Sequence, residues 1–306
     1  MTLTWKQKGI KAIFDRYMRW CLNDLMHPEY PVILDYPIRP EPRYGSGKPP
    51  HSELAVLLAR DDESYLSTLG HFAAFRKGLL QIEEVQPEHI RGEPCWDNAW
   101  FSSLDAIVLY GLLASRKPSR YLEVGSGYST KFARRAVRDT EGKTKITSID
   151  PAPRAEIDSI CDHIIRQPLE TLEMYVFDDL EAGDFLFFDS SHRVFQNSDV
   201  TVFFMEILPR LKPGVIVHIH DVFLPFDYPT VWKDRYYSEQ YLLAAYLLAG
   251  SSRIEVLLPL AYIGRDSRAG AFVDETWATP LFQRAFSQYR EITGGYIGTS
   301  FWLTIK

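Results

Sequence analysis

The chain is short of cysteine. Cys21, Cys95 and Cys161 are its only three, widely spaced and with no Cys-x-x-Cys pair. That excludes a disulfide framework and a thiolate zinc site, and points to a reducing, cytoplasmic setting. Long apolar runs are missing too. The longest, Tyr241 to Gly250, is about half of the ~20 residues that cross a bilayer, and the N-terminus has no apolar signal-peptide core. There is no excess of basic charge: 34 Lys and Arg stand against 40 Asp and Glu, a net charge of -6. Binding to nucleic-acid phosphates needs the opposite sign, so no nucleic-acid partner is expected.

What is present is an ordinary globular composition, 46% hydrophobic and 24% charged over 306 residues, enough for about two domains. Aromatic residues reach 14%, either as core or as a surface for flat ligands. Over residues 1–35 the apolar positions Trp5, Ile10, Phe14, Tyr17, Met18 and Cys21 fall at helical spacing, among Lys6, Lys8, Lys11, Arg16 and Arg19. A basic amphipathic helix can lie on a membrane surface or a partner through residues 1–25; packing on its own protein is the preferred reading. A Pro- and Tyr-rich connector over 35–50 precedes helical patterns at 52–82 and 104–113. The expected organisation is a helical cover over 1–115 and a second domain over 116–306.

From Arg120 the rhythm changes. Residues 121–124, 146–149, 163–165, 185–188 and 215–219 read as strands. Helical stretches at 132–137, 155–160, 169–177 and 200–211 separate them. A helix at 241–248 and strands at 254–258 and 299–305 complete the chain. Such alternation builds βαβ crossovers and a parallel sheet covered on both faces. Ligands then bind beyond the carboxyl ends of the strands, so the residues closing each strand are the candidates.

The first strand closes in Glu123-Val124-Gly125-Ser126-Gly127-Tyr128-Ser129-Thr130 and runs into a helix. Two glycines permit a sharp turn and close ligand approach, and the helix start offers free N–H groups. The third glycine of the dinucleotide pattern is replaced by Thr130, which demotes NAD and FAD. The second strand closes at Asp150, 23 residues after Gly127, where a carboxylate can accept ribose hydroxyls. The fourth ends in Asp189-Ser190-Ser191-His192 and the fifth in His218-Ile219-His220-Asp221. Asp189, His220 and Asp221 are candidate ligands for a divalent cation. His192 and His220 are candidate general bases, and His218 reads as a buried strand histidine with its hydrogen bonds met. Gly45-Ser46-Gly47-Lys48 lacks the spacing of a phosphate loop, and no Gly-x-Ser-x-Gly elbow exists.

Taken together, residues 123–130, Ser-Ile-Asp at 148–150, Phe-Phe-Asp-Ser-Ser-His at 187–192 and Leu-Lys-Pro-Gly at 211–214 resemble the class I S-adenosylmethionine-dependent methyltransferases. His-Ile-His-Asp-Val-Phe-Leu-Pro at 218–225 and Ser-Phe-Trp-Leu at 300–303 are similar to bacterial members of polysaccharide and secondary-metabolite pathways, the sugar O-methyltransferases among them. Histidine at 220 stands where those relatives more usually carry an acid. The resemblance implies a Rossmann-like α/β fold, a seven-stranded, mostly parallel sheet with an antiparallel last strand. It further implies S-adenosylmethionine held by Glu123, Gly125, Ser126, Gly127, Tyr128, Ser129, Asp150 and Asp189, with Mg²⁺ or another divalent cation as a further cofactor. The acceptor would be a hydroxyl of a sugar, glycan or small metabolite. Arg43, Tyr44, Lys48, His51, Asn98, Trp100 and Tyr228 are candidate acceptor contacts, with plain loop anchoring the alternative. An iron oxygenase on the same fold, a non-catalytic cofactor-binding protein and a homo-oligomer stay open.

Overall fold

The computed structural model describes residues 38–86, 91–101, 103–265, 273 and 275–306. The basic segment 1–25 therefore lies outside the described residues. Residues 40–306 form one compact unit, distinct from residues 1–39.

Its centre is a seven-stranded sheet: β1 Arg120–Val124, β2 Lys145–Ile149, β3 His163–Ile165, β4 Phe185–Phe188, β5 Ile216–Ile219, β6 Ile254–Pro259 and β7 Phe301–Ile305. The spatial order is β3-β2-β1-β4-β5-β7-β6. Pairing is parallel from β3 through β5, and β7 runs antiparallel to both β5 and β6. This is a Rossmann-like α/β sheet, and the antiparallel β7 matches the expectation. β4 and β5 are buried at every position, as expected of central parallel strands of largely apolar sequence.

Side chains alternate between two cores. Tyr121, Ile146, Phe185, Phe187 and Trp302 share one face with helices α3 (Ser103–Arg116) and α4 (Tyr128–Asp139), against which α2 (Asp62–Phe72) also packs. Leu122, Val124, Leu186, Phe188, Val217 and Ile219 share the other with the helical run 199–210, with α5 (Glu239–Leu248), and with Leu54 and Leu58 of α1 (Ser52–Leu58). A further helix, α6 (Pro280–Thr293), is capped by Thr279, whose hydroxyl accepts the Phe282 N–H. The sequence reading missed α6.

The helix α3 is buried along almost its whole length. It packs closely on α2, where a Cβ on Gly111 would sit 2.4 Å from the Phe72 ring. The compact unit consequently spans the expected boundary at residue 116. The expected helix at 155–160 shrinks to a single 3₁₀ turn, Asp158–Ile160, and the proline-bearing stretch before it runs through bends. The helix expected at 169–177 is two separate turns, Leu169–Thr171 and Tyr175–Asp178. The 200–211 stretch is helical but passes from α to π to 3₁₀ geometry before it ends after Pro209. The last strand starts at Phe301 rather than Thr299. The N–H groups of Thr299 and Ser300 are taken by the Asp105 carboxylate, at 2.9 and 2.7 Å, and cannot join a ladder.

Candidate active site

The strand ends meet as expected. Gly125 has φ +77° and donates its N–H to the Ile149 carbonyl at 3.0 Å. A Cβ there would lie 1.7 Å from the Asp189 carbonyl oxygen, so the glycine lets the β1 turn close against the end of β4. The Ser126 N–H donates to Asp150 Oδ2 at 2.8 Å, and the Ala152 N–H donates to Oδ1 at 2.8 Å. One carboxylate thus ties the turn after β1 to the turn after β2. Gly127 is extended, with φ 177°, and a Cβ on it would meet nothing within 4 Å.

Behind the turn lies Glu123, fully buried. It accepts from Ser129 Oγ at 2.6 Å, from Tyr121 Oη at 3.1 Å and from the Thr130 hydroxyl. Burial pushes this carboxyl up to about 7, against the pull of those hydroxyls. Glu123 and Ser129 therefore set the turn from beneath.

A cleft of about 540 Å³ opens above these turns. Gly125, Ser126, Asp150 and Asp189 line it, together with Pro151, Arg154, Gln167, Pro168, Glu170 and Asp199. Of the eight expected cofactor residues, those four line the cleft. Glu123, Gly127, Tyr128 and Ser129 do not, and Tyr128 lies partly buried against the α-helical core with Lys131 over its ring.

A second, tighter recess of about 60 Å³ adjoins the cleft and shares Asp189 and Arg154 with it. Trp100, His192, His220, Asp221, Trp232, Arg235, Tyr237 and Tyr289 also line it, with Ala99 and Ile292. His192 has φ +62°. Its carbonyl accepts the Ser238 N–H at the start of α5, at 2.8 Å. Its Nδ1 bonds the buried Glu239 carboxylate, its Nε2 lies 3.1 Å from Asp189 Oδ1 and 3.5 Å from Asp221 Oδ2, and Tyr237 covers the ring. Ser190 Oγ donates to the other Glu239 oxygen at 2.9 Å. His220 Nδ1 lies 3.6 Å from Asp189 and 3.5 Å from Asp221, with Asp105 3.9 Å from its Nε2.

These contacts set the charges. Burial opposes a charged imidazole, but Asp221, Asp189 and Asp105 push His220 up to about 9. Against the same penalty, Glu239, Asp189 and Asp221 hold His192 well above the ordinary histidine value. Burial would also raise Asp189, yet the two imidazoles hold it well below the usual carboxylate range. Burial raises both Asp105 and Glu239. His218 goes the other way: burial and the neighbouring His220 drive it well below the normal value, leaving it neutral. It stacks on Phe187 and its Nε2 shares a 2.7 Å hydrogen bond with Ser300 Oγ, while its Nδ1 has no partner among the described residues. Only one of its two expected hydrogen bonds is met.

Asp189, His220 and Asp221 come together as ion pairs. Among the described residues no group of three or more His, Cys, Asp or Glu side chains is disposed to hold a metal ion. The His220 imidazole lies between the two carboxylates as their positive partner.

Most of the expected acceptor contacts are elsewhere. The N–H groups of Arg43 and Tyr44 donate to Asp227, Lys48 bonds the Pro42 carbonyl, and His51 caps α1 through Leu54 with its ring against Tyr44. All four anchor the connector. Asn98 is buried; it accepts from the Trp100 and Phe101 N–H groups and donates to Cys95 O. Tyr228 sits in an aromatic cluster with Phe223, Trp232 and Tyr296. Trp100 alone reaches the recess. The sequence reading missed Asp105, Arg154, Arg235 and Glu239. Asp105 did leave a signal, as the one acid within the apolar run of α3.

A family model described as a methyltransferase domain matches residues 122–222, the stretch that carries β1 to β5 and most of the cleft. No curated protein matches the chain. Among solved structures, the chain is similar to an O-methyltransferase from Bacillus cereus in complex with SAH, at 14% identity over 84% of this chain and 96% of that one, TM-score 0.39. A SAH-bound methyltransferase from Podospora anserina shares 17% identity over 70% of this chain and 94% of its own, TM-score 0.35. An O-methyltransferase of tomaymycin synthesis from Streptomyces achromogenes, in complex with SAM, shares 15% identity over 84% and 95%, TM-score 0.31.

No helix among the described residues is long and apolar enough to cross a membrane.

Proposed function

We propose that the chain is an S-adenosylmethionine-dependent O-methyltransferase acting on a hydroxyl of a small-molecule acceptor, with sugars and glycans the first acceptors to try. One observation carries this reading. Asp189 lines both the large cleft and the histidine-bearing recess, so a cofactor in one would face an acceptor in the other.

The residues present fit the cofactor. The cleft lies within the ~300–1,000 Å³ typical of small-ligand sites, at the carboxyl ends of β1, β2 and β4. Asp150 retains a rim position from which its remaining lone pairs can accept ribose hydroxyls. When bound, S-adenosylmethionine supplies an electrophilic methyl carbon on a sulfonium. Ionised Asp189 places negative charge beside such a cation, and Ser126 and Asp150 fix the orientation by which attack is aligned.

An acceptor hydroxyl must give up its proton as it becomes the nucleophile. His192 is the base, its Nδ1 held by Glu239 and its Nε2 turned to the recess beside Asp189 and Asp221. His220 stands behind as the alternative base and as positive charge for a developing alkoxide. Both rings are held protonated at neutral pH by their carboxylate neighbours. The base form grows as pH rises, so transfer is expected to accelerate from pH 7 into the alkaline range. The test is transfer of labelled methyl from S-adenosylmethionine to a panel of nucleotide sugars, free glycans and phenols across that pH range. Label on an acceptor hydroxyl with a rising alkaline limb supports the reading; cofactor binding without transfer to any member contradicts it.

A further inference from the structure

The recess has two chemically different ends. Its floor is formed by Asp189, His192, His220 and Asp221. Its rim carries two guanidiniums laid over aromatic rings: Arg235 sits 3.9 Å over Trp232 and 5.6 Å over Tyr237, and Arg154 sits 4.4 Å over Trp100. Neither has a carboxylate partner among the described residues, whereas Arg134, Arg135 and Arg138 are all in ion pairs. Stacking engages the flat face of a guanidinium and leaves its N–H edge pointing outward, in a fork that matches the two oxygens of a carboxylate or phosphate.

We infer that the acceptor carries an anionic substituent, a carboxylate or a phosphate, which Arg235 and Arg154 hold at the rim while the hydroxyl to be methylated lies on the floor. This rests on the methyl-transfer reading and names the substrate class of that same site. The charges also distinguish the two ends: on the floor each imidazole is already paired with the carboxylates of Asp189 and Asp221, whereas the rim guanidiniums have no carboxylate partner among the described residues. The rings of Trp100, Trp232 and Tyr237 line the recess beside these guanidiniums.

The experiment uses the full chain with inorganic phosphate and acetate as separate probes, read by tryptophan emission, and S-adenosylhomocysteine by calorimetry as the control on the cofactor cleft. The expected result is saturable binding of at least one anion, weakened at least about tenfold (about 1.4 kcal/mol) by Arg235→Gln, with S-adenosylhomocysteine affinity retained. The phosphate and acetate arms decide which oxyanion the rim prefers. Arg154→Gln should weaken the anion as well, and Arg235→Lys should restore part of the affinity through charge alone. Anion binding indifferent to Arg235, or binding of neither anion to a chain that binds S-adenosylhomocysteine, overturns the inference and leaves the methyl-transfer reading standing. Failure to bind S-adenosylhomocysteine removes the reading beneath it.

Discussion

At the scale of single residues, the site turns on how carboxylates and imidazoles share protons. His192 reaches the recess through one nitrogen because Glu239 occupies the other. Replacing His192 with Asn is expected to lower kcat by about 10²–10⁴-fold, the usual worth of a general base, with S-adenosylhomocysteine affinity unchanged in a calorimetric titration. Glu239→Gln removes the carboxylate that most raises the imidazole. The alkaline limb of the rate profile should then move to lower pH while the maximal rate drops, a pair of effects that simple loss of packing does not produce. Gly125→Ala sets a Cβ against the Asp189 carbonyl and is expected to destabilise by about 1–3 kcal/mol in urea denaturation, as overpacking does. Much of this was legible in the sequence. Gly125, Asp150, Asp189, His192, His220 and Asp221 all close strands, and the rule that ligands gather at those ends found them. Glu239 and Arg235 were invisible because neither closes a strand nor belongs to a local motif. They reach the site only through the long excursion between β5 and α5.

At the scale of elements, α3 does more than cover the sheet. Its Asp105 accepts the N–H groups of Thr299 and Ser300 just before β7, and also faces His220. The helix thereby fixes where the antiparallel strand begins and how the site's inner wall sits. Asp105→Ala leaves two buried N–H groups unsatisfied, each costing about 1–3 kcal/mol, so a fall of about 2–6 kcal/mol in unfolding free energy by urea titration is expected. The connector at 43–51 shows where local reading fails. Its polar and aromatic residues look suited to a ligand, but Asp227 and the Pro225 carbonyl hold them through contacts over 170 positions away. Side chains in a loop declare their chemistry in sequence; the partner that claims them is set by the tertiary fold. The helices expected at 155–160 and 169–177 failed for a related reason. The segments after β2 and β3 wall the cleft, and proline-bearing turns there leave room that packed helices would fill.

At the scale of the whole molecule, the sheet order and the antiparallel seventh strand put the cleft at one edge of β1 to β4, with the recess under the loop that follows β5. The buried charges also govern stability. The folded-state values of His220 and Glu123 lie above their ordinary ones. Between the ordinary and the raised value the native chain holds protons that the unfolded chain releases, so stability falls as pH rises through that window. For Glu123 the window runs from about 4.5 to about 7, and for His220 from 6.5 to about 9. The melting temperature should therefore decline from mildly acidic to alkaline pH, and His220→Asn should flatten the upper part of that decline in calorimetric scans. The most direct measurement of the central claim is calorimetric titration of the full chain with S-adenosylhomocysteine, beside the Asp150→Asn variant. One site per chain, with a Kd between about 1 μM and 1 mM and weakened at least about tenfold by Asp150→Asn, is the predicted result. No binding at about 1 mM, or binding indifferent to Asp150, would contradict the account.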